Sequence, residues 1–182
     1  MEIIMLASMA RKRSSASWRT PIFSTIKSLG IEPGLFYFRI VMFDIHHNFI
    51  AKVSLEKVFH AFCTPQGLDL WWTLQSAGKP EIGNIYTFFF GPEYDWRAEV
   101  IHVVPVNELT WKMVKTMGDW KNTSVGFELV EKEGNIHVHF FHLGWGEATE
   151  HFGITTYCWA QLFHGLKRYV EDDIVIPHAQ RN

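Results

Sequence analysis

Only two cysteines, Cys63 and Cys158, occur among the 182 residues, too few ligands for a disulfide framework or a cysteine-based zinc site. A reducing, cytoplasmic location is the expectation. No run approaches the roughly 18 uncharged apolar residues of a spanning helix, and the richest stretch, Gly34 to Phe49, is broken by Arg39 and Asp44. No membrane span is expected. Also missing are a Gly-x-Ser-x-Gly elbow, a Gly-x-x-x-x-Gly-Lys phosphate loop, a dinucleotide fingerprint and a His-Glu-x-x-His helix. What the chain has in excess is aromatic: fifteen Phe and eight Trp in a composition that is 47% apolar and 20% charged. Collagen, coiled coil and wholesale disorder are excluded.

Charge is unevenly placed. Residues 1–41 carry Arg11, Lys12, Arg13, Arg19, Lys27 and Arg39 against Glu2 and Glu32, a balance of +4, which leaves −6 for residues 42–182. With Ser14, Ser15 and Ser17 among its arginines and breakers at Pro21, Gly30, Pro33 and Gly34, the first part reads as a poorly structured extension. A transit peptide, a basic arm touching nucleic acid or lipid, and residues upstream of a natural start at Met42 are the three readings; the last is favoured. The domain is expected over 42–175, with a tail over 176–182. Its negative balance and interrupted basic positions argue against nucleic-acid binding.

From Met42 the pattern is regular. Phe43 to Val53 reads as a strand. Ser54 then caps a helix bearing Leu55, Val58, Phe59 and Phe62 on one stripe, and Thr64-Pro65 opens a second through Leu68 to Trp72. Five further strands follow near Asn84 to Phe90, Asp95 to Val104, Glu108 to Lys115, Thr123 to Val130 and Asn135 to Leu143. Their short connections favour antiparallel neighbours. Thr149 to Glu171 recurs at three- and four-residue spacings through Phe152, Thr156, Trp159, Leu162, Phe163 and Leu166. The order β-α-α-β-β-β-β-β-α predicts an α+β fold: a curved antiparallel six-stranded sheet wrapped around one long C-terminal helix, with two short helices at one end.

Alternation selects the inward side chains. They are Trp96, Ala98 and Val100; Leu109, Trp111 and Met113; Val125, Phe127 and Leu129; and Ile136, Val138, Phe140 and His142. The strand from Asn84 has apolar residues on both parities and cannot be phased. His142 is the polar member of its row and the candidate acid–base residue, with no carboxylate evident on the same row. The competing reading is a core histidine bonded to a neighbouring strand or tryptophan. His137 and His139 share the other face at a chelating spacing but lack a third ligand, and His46 and His47 diverge on a strand, so no metal site is expected.

These residues resemble the homologues of the activator of the 90-kDa heat-shock protein ATPase, within the START-like (SRPBCC, helix-grip, Bet-v-like) superfamily. The resemblance runs from about Phe43 to Asp172. It rests on Val58-Phe59-His60-Ala61-Phe62, Thr64-Pro65 leading to Trp71-Trp72-Thr73, Trp96-Arg97-Ala98-Glu99-Val100, Pro105 with Leu109-Thr110-Trp111, His142-Leu143-Gly144-Trp145, and Trp159 with Leu162 to Glu171. Gly67 departs from the pattern, where the family more often has a helix former, and the basic extension has no counterpart.

The resemblance implies a fold that holds an apolar ligand between helix and sheet, and it carries fold information better than activity. The expected function is a non-catalytic carrier or sensor of a small hydrophobic or aromatic ligand or lipid, without a cofactor. Trp72, Trp96, Trp111, Phe127, Phe140, His142, Trp145, Phe152 and Trp159 would line its cavity; the competing reading is that they simply fill the interior. A cyclase or hydrolase using His142, which requires a carboxylate or hydroxyl in reach of the imidazole, is the alternative. A co-chaperone-like interaction domain, with an exposed apolar patch, is the third. A homodimer is compatible with each; a chaperone partner is not favoured.

Overall fold

Residues 42–181 are described by a computed structural model; the expected extension over 1–41 lies outside the described residues. The elements run β1 (Phe43–Ala51), α1 (Leu55–Cys63), α2 (Pro65–Trp71), β2 (Gln75–Ala77), β3 (Ile85–Gly91), β4 (Tyr94–Val104), β5 (Glu108–Lys115), β6 (Ser124–Lys132), β7 (Asn135–Trp145) and α3 (Glu150–Asp172). Single 3₁₀ turns occupy Gly118–Trp120 and His178–Gln180. The strands form one antiparallel sheet in the order β1-β7-β6-β5-β4-β3-β2. It curves around α3, giving the helix-grip architecture.

The sheet has seven strands rather than the six expected. The addition is β2, which pairs Gln75 with Phe89 and Ala77 with Thr87. Three residues are too few to show alternation, so the sequence pattern carries no sign of it.

Hydroxyl caps set the helix starts. Ser54 Oγ accepts from the Lys57 amide at 3.3 Å, Thr64 Oγ1 from Gly67 at 3.0 Å and Thr149 Oγ1 from Phe152 at 3.1 Å, each satisfying a donor with no partner inside the helix. Gly67 has a steric cause. A Cβ there would lie 2.3 Å from the His60 carbonyl oxygen and 2.6 Å from the Ala61 Cα, so a helix former cannot stand where α2 crosses α1. At its far end α3 closes on Asp173 in the left-handed region, φ 56°, with the Asp173 and Ile174 amides returning to the Tyr169 and Arg168 carbonyls.

The core lies between α3 and the concave face of the sheet. Thr155, Trp159, Phe163, Leu166 and Val170 are the buried stripe of α3. Opposite them, every position assigned inward on β4 to β7 is buried, and β3 contributes Tyr86, Phe88 and Phe90. Phe141 is buried on the opposite face, where its ring lies over Gly126; a Cβ on that glycine would meet the ring at 2.6 Å. That ring occupies the place a side chain would otherwise take.

Candidate functional site

The nine residues expected to line the interior belong to one network of ring contacts. Trp159, at the middle of α3, reaches Phe140 at 4.5 Å between centroids and Trp72 at 5.2 Å. Phe127 and Trp111 are linked at 6.3 Å, His142 and Trp145 at 4.7 Å, and Trp145 and Phe152 at 5.3 Å. Two connectors complete it: Phe88 joins Trp72 to Trp111, at 4.8 and 5.6 Å, and Trp120 joins Trp96 to Trp159, at 4.7 and 5.8 Å. All nine are buried except Phe152, which is half-buried. Edge-to-face and tilted pairs at these separations are favourable contacts that fill space.

Neither connector was identified from the sequence. Phe88 sits on the strand whose two faces are both apolar. Trp120 falls in the turn between β5 and β6, and its one signal is a tryptophan two residues after Gly118, which has φ 59°.

At the centre of the network His142 uses both ring nitrogens. The Trp159 indole N–H points at Nδ1 at 3.3 Å, and Nε2 lies 2.9 Å from Thr123 Oγ1. The Thr123 hydroxyl donates in turn to the Trp120 carbonyl at 2.7 Å. An indole nitrogen can only donate, so Nδ1 is the acceptor; Nε2 then carries the proton and donates to the threonine oxygen. The chain Trp159, His142, Thr123, Trp120 is satisfied throughout with a neutral imidazole. Burial pushes the His142 pKa down to about 3, with a smaller electrostatic contribution from His151.

A hydroxyl therefore stands in reach of the imidazole, as the enzyme alternative requires. Its proton is committed to the carbonyl, however, and it receives the imidazole proton rather than giving one up. Thr123 was not singled out from the sequence, although it shares the inward parity of Val125.

Four polar atoms of the same interior are unmatched among the described residues, His47 Nε2 and three indole nitrogens. The indole nitrogens of Trp96, Trp111 and Trp145 are buried and have no hydrogen-bond partner among the described residues. A buried donor without an acceptor costs about 1–3 kcal/mol, and native interiors hold few of them. Here three lie on one aromatic network.

On the outer face, His139 is held between β6 and β1. Its Nδ1 lies 3.1 Å from a Glu128 carboxylate oxygen, and its Nε2 lies 3.0 Å from His46 Nδ1. With the carboxylate accepting from Nδ1, Nε2 accepts from His46. No group of three or more His, Cys, Asp or Glu positioned to hold a metal occurs among the described residues. His47 turns inward against Phe163 at 5.4 Å, diverging from His46 as expected.

Two pockets lie away from the ring network's centre. An open groove of about 450 Å³ on the outer face is bordered by Asn48, Ile50, Glu128, Val130, Lys132 and His137. A smaller one of about 80 Å³ lies at the seam of α2 and α3, between Trp71, Leu162 and the chain after α3. No helix among the described residues is long and apolar enough to cross a membrane.

Comparison with solved structures gives the same architecture. The solution structure of the Aha1 dimer from Colwellia psychrerythraea is similar, with 28% identity and a TM-score of 0.65 over 71% of this chain and 96% of that one. Protein MLL2253 from Mesorhizobium loti matches with 18% identity and a TM-score of 0.61, over 74% of this chain and 100% of that one. CalU16 from Micromonospora echinospora matches with 14% identity and a TM-score of 0.58, over 71% and 77%; these last two establish shared fold alone. No curated protein matches significantly. The sequence model described as "Activator of Hsp90 ATPase homolog 1-like protein" matches residues 52–171, the span from just after β1 to the end of α3, and the chain belongs to that family.

Proposed function

We propose that this protein is a non-catalytic binding module that holds a small apolar or aromatic ligand bearing hydrogen-bond acceptors between α3 and the sheet. The observation that supports it is the set of three buried indole N–H groups, those of Trp96, Trp111 and Trp145, that have no partner among the described residues of a largely aromatic interior. Rings occupy that interior, so a ligand has to displace some of them. Oxygen acceptors on the ligand would satisfy donors that the ring packing leaves unsatisfied, and its apolar body would replace ring contacts by equivalent ones.

The enzyme alternative has less support. A general base works best with a pKa near the operating pH, and the His142 pKa is pushed down to about 3 with both its nitrogens bonded.

Native mass spectrometry of the freshly purified protein, followed by solvent extraction, tests the binding reading. A stoichiometric apolar compound carrying oxygen acceptors supports it. An empty protein that also takes up no member of an apolar compound library contradicts it.

A homodimer is a second property we propose, because the Colwellia psychrerythraea relative was solved as a dimer. Light scattering coupled to size-exclusion chromatography reads it directly.

A further inference from the structure

The nine residues after α3 form a strap that returns over the helix pair α1–α2. At its start Asp173 Oδ1 receives a hydrogen bond from Lys57 Nζ of α1 at 2.8 Å. Midway, Ile176 lies against α3 at Gly165. At its end Arg181, half-buried, spreads its guanidinium over three main-chain carbonyls: Nε to Ile176 at 2.8 Å, Nη1 to Thr73 at 3.1 Å and Nη2 to Asp69 at 2.9 Å.

One of those carbonyls, that of Asp69, lies in the last turn of α2, and that of Thr73 lies just past the C-cap Trp72. That helix has only seven residues and no basic residue in its own last turn. The final carbonyls of a helix lack partners within it, and a cation is favoured there. Arg181 supplies to the Asp69 carbonyl, from 112 residues away, what the helix sequence lacks. A helix of two turns has little stability of its own, so its position depends on such ties.

α2 is also tied to α1, where the Trp71 indole donates to the Ala61 carbonyl at 2.9 Å and Gly67 crosses in direct contact, to β2, where Ser76 Oγ donates to Asp69 Oδ1 at 2.7 Å, and to α3 through the Trp71 and Phe163 rings at 5.9 Å. The two short helices are thus packed as a pair, joined to the sheet through Ser76 and through Tyr86 Oη, which donates to the Cys63 carbonyl, and joined by the strap to the end of α3. Between them, under Arg181, Gln180 and Ile176, lies the pocket of about 80 Å³ that Trp71 and Leu162 border. Directly inside, Trp72 inserts its ring among Phe88, Phe90 and Trp159, at 4.8, 5.7 and 5.2 Å.

We infer that the strap Asp173–Arg181 is a clasp, with Arg181 as its catch, and that the α2–α3 seam beneath it is the portal to the interior. Releasing the catch lets the α1–α2 pair lift from α3, and the lift withdraws the Trp72 ring, making room where the ligand would sit. The strap is thereby the closing device of a fold whose interior is filled by side chains when shut. The part concerning ligand admission rests on the binding reading; the clasp itself does not.

The test uses the full chain and Arg181→Ala, with Arg181→Lys as the milder variant that keeps the charge but not the three-pronged fork. Amide hydrogen exchange at Leu68 to Thr73 and acrylamide quenching of tryptophan report opening; 1-anilinonaphthalene-8-sulfonate reports admission of an apolar probe. The clasp requires α2 amides to exchange roughly tenfold faster in Arg181→Ala, with α3 and β4 to β7 amides unchanged, and quenching to rise with them. Arg181→Lys falls between. Unchanged α2 exchange and quenching in Arg181→Ala overturn the clasp. If Arg181→Ala fails to fold, the same comparison between Arg181→Lys and wild type decides, and equality there overturns it. Faster exchange without probe uptake in any form supports the clasp and counts against the binding reading instead.

Discussion

The indole N–H of Trp159 on α3 and Nδ1 of His142 on β7 face each other at 3.3 Å across the middle of the interior. That contact sets the imidazole tautomer, and the tautomer sets the direction of the bonds beyond it. Helix and sheet are joined here by a polar relay inside an apolar contact, which makes its members sensitive to substitution in a predictable order.

Removing the end of the relay isolates one donor. Thr123→Val leaves the Nε2 proton of His142 without an acceptor, where Oγ1 now stands at 2.9 Å, and the expected loss of stability is about 1–3 kcal/mol. Urea denaturation at neutral pH measures it. Thr123→Ser keeps the hydroxyl and is expected to lose less than half as much.

Acid exposes the same histidine. In the unfolded chain it titrates near 6.5, whereas in the folded protein burial holds it down to about 3. Between those values the unfolded state binds a proton that the folded state does not. This contribution to stability is complete above about pH 6.5 and is lost as pH falls toward about 3, with a slope of up to about 1.4 kcal/mol per pH unit. His47, also lowered by burial, adds a slope of the same sign. His142→Gln is expected to flatten the dependence without abolishing it, as denaturation midpoints across acid pH will show.

Gly67→Ala reverses the usual helix ranking. Alanine is the better helix former by about 1 kcal/mol, but its Cβ would meet the His60 carbonyl oxygen at 2.3 Å, main chain that cannot turn aside. A net loss of about 1–3 kcal/mol is expected from the forced separation of α1 and α2. A thermal midpoint at or above that of the wild type would contradict this reading of the crossing.

Desolvation raises the pKa of both thiols, Cys63 being buried and Cys158 half-buried. Cys63 is pushed up to about 12 and Cys158 to about 11, so almost no reactive thiolate exists near neutral pH. Neither is expected to react with a disulfide reagent at pH 8 at the rate of a free thiol until denaturant is added. Fast native labelling of Cys158 would show that α3 presents it to solvent.

Much of this molecule was legible in the sequence, because the signals are periodic. Two-residue alternation placed Trp96, Trp111, Phe127, Phe140 and His142 inward, and the hydroxyl caps Ser54 and Thr64 marked two helix starts. The short strand β2 was not legible, since Gln75–Ala77 is defined by pairing with β3 and not by any pattern of its own. Trp120 was hidden for a related reason: a turn has no period, so its burial depends on where β5 and β6 deliver it. Which indole nitrogens find partners depends on packing across the whole interior, and the same holds for Arg181, whose partners on α2 lie far away in the chain.

Indole N–H resonances observed during titration with 9-fluorenone and, separately, with fluorene test the binding of an acceptor-bearing aromatic most directly. The two probes share a planar skeleton, and only the ketone carries an acceptor. Binding of fluorenone roughly tenfold tighter than fluorene is expected, with the Trp96, Trp111 and Trp145 indole signals moving on fluorenone addition. The preference should shrink when the responding tryptophan is replaced by phenylalanine. Equal affinity for the two probes, or indole signals that neither probe moves, would contradict the binding of an acceptor-bearing ligand inside the fold.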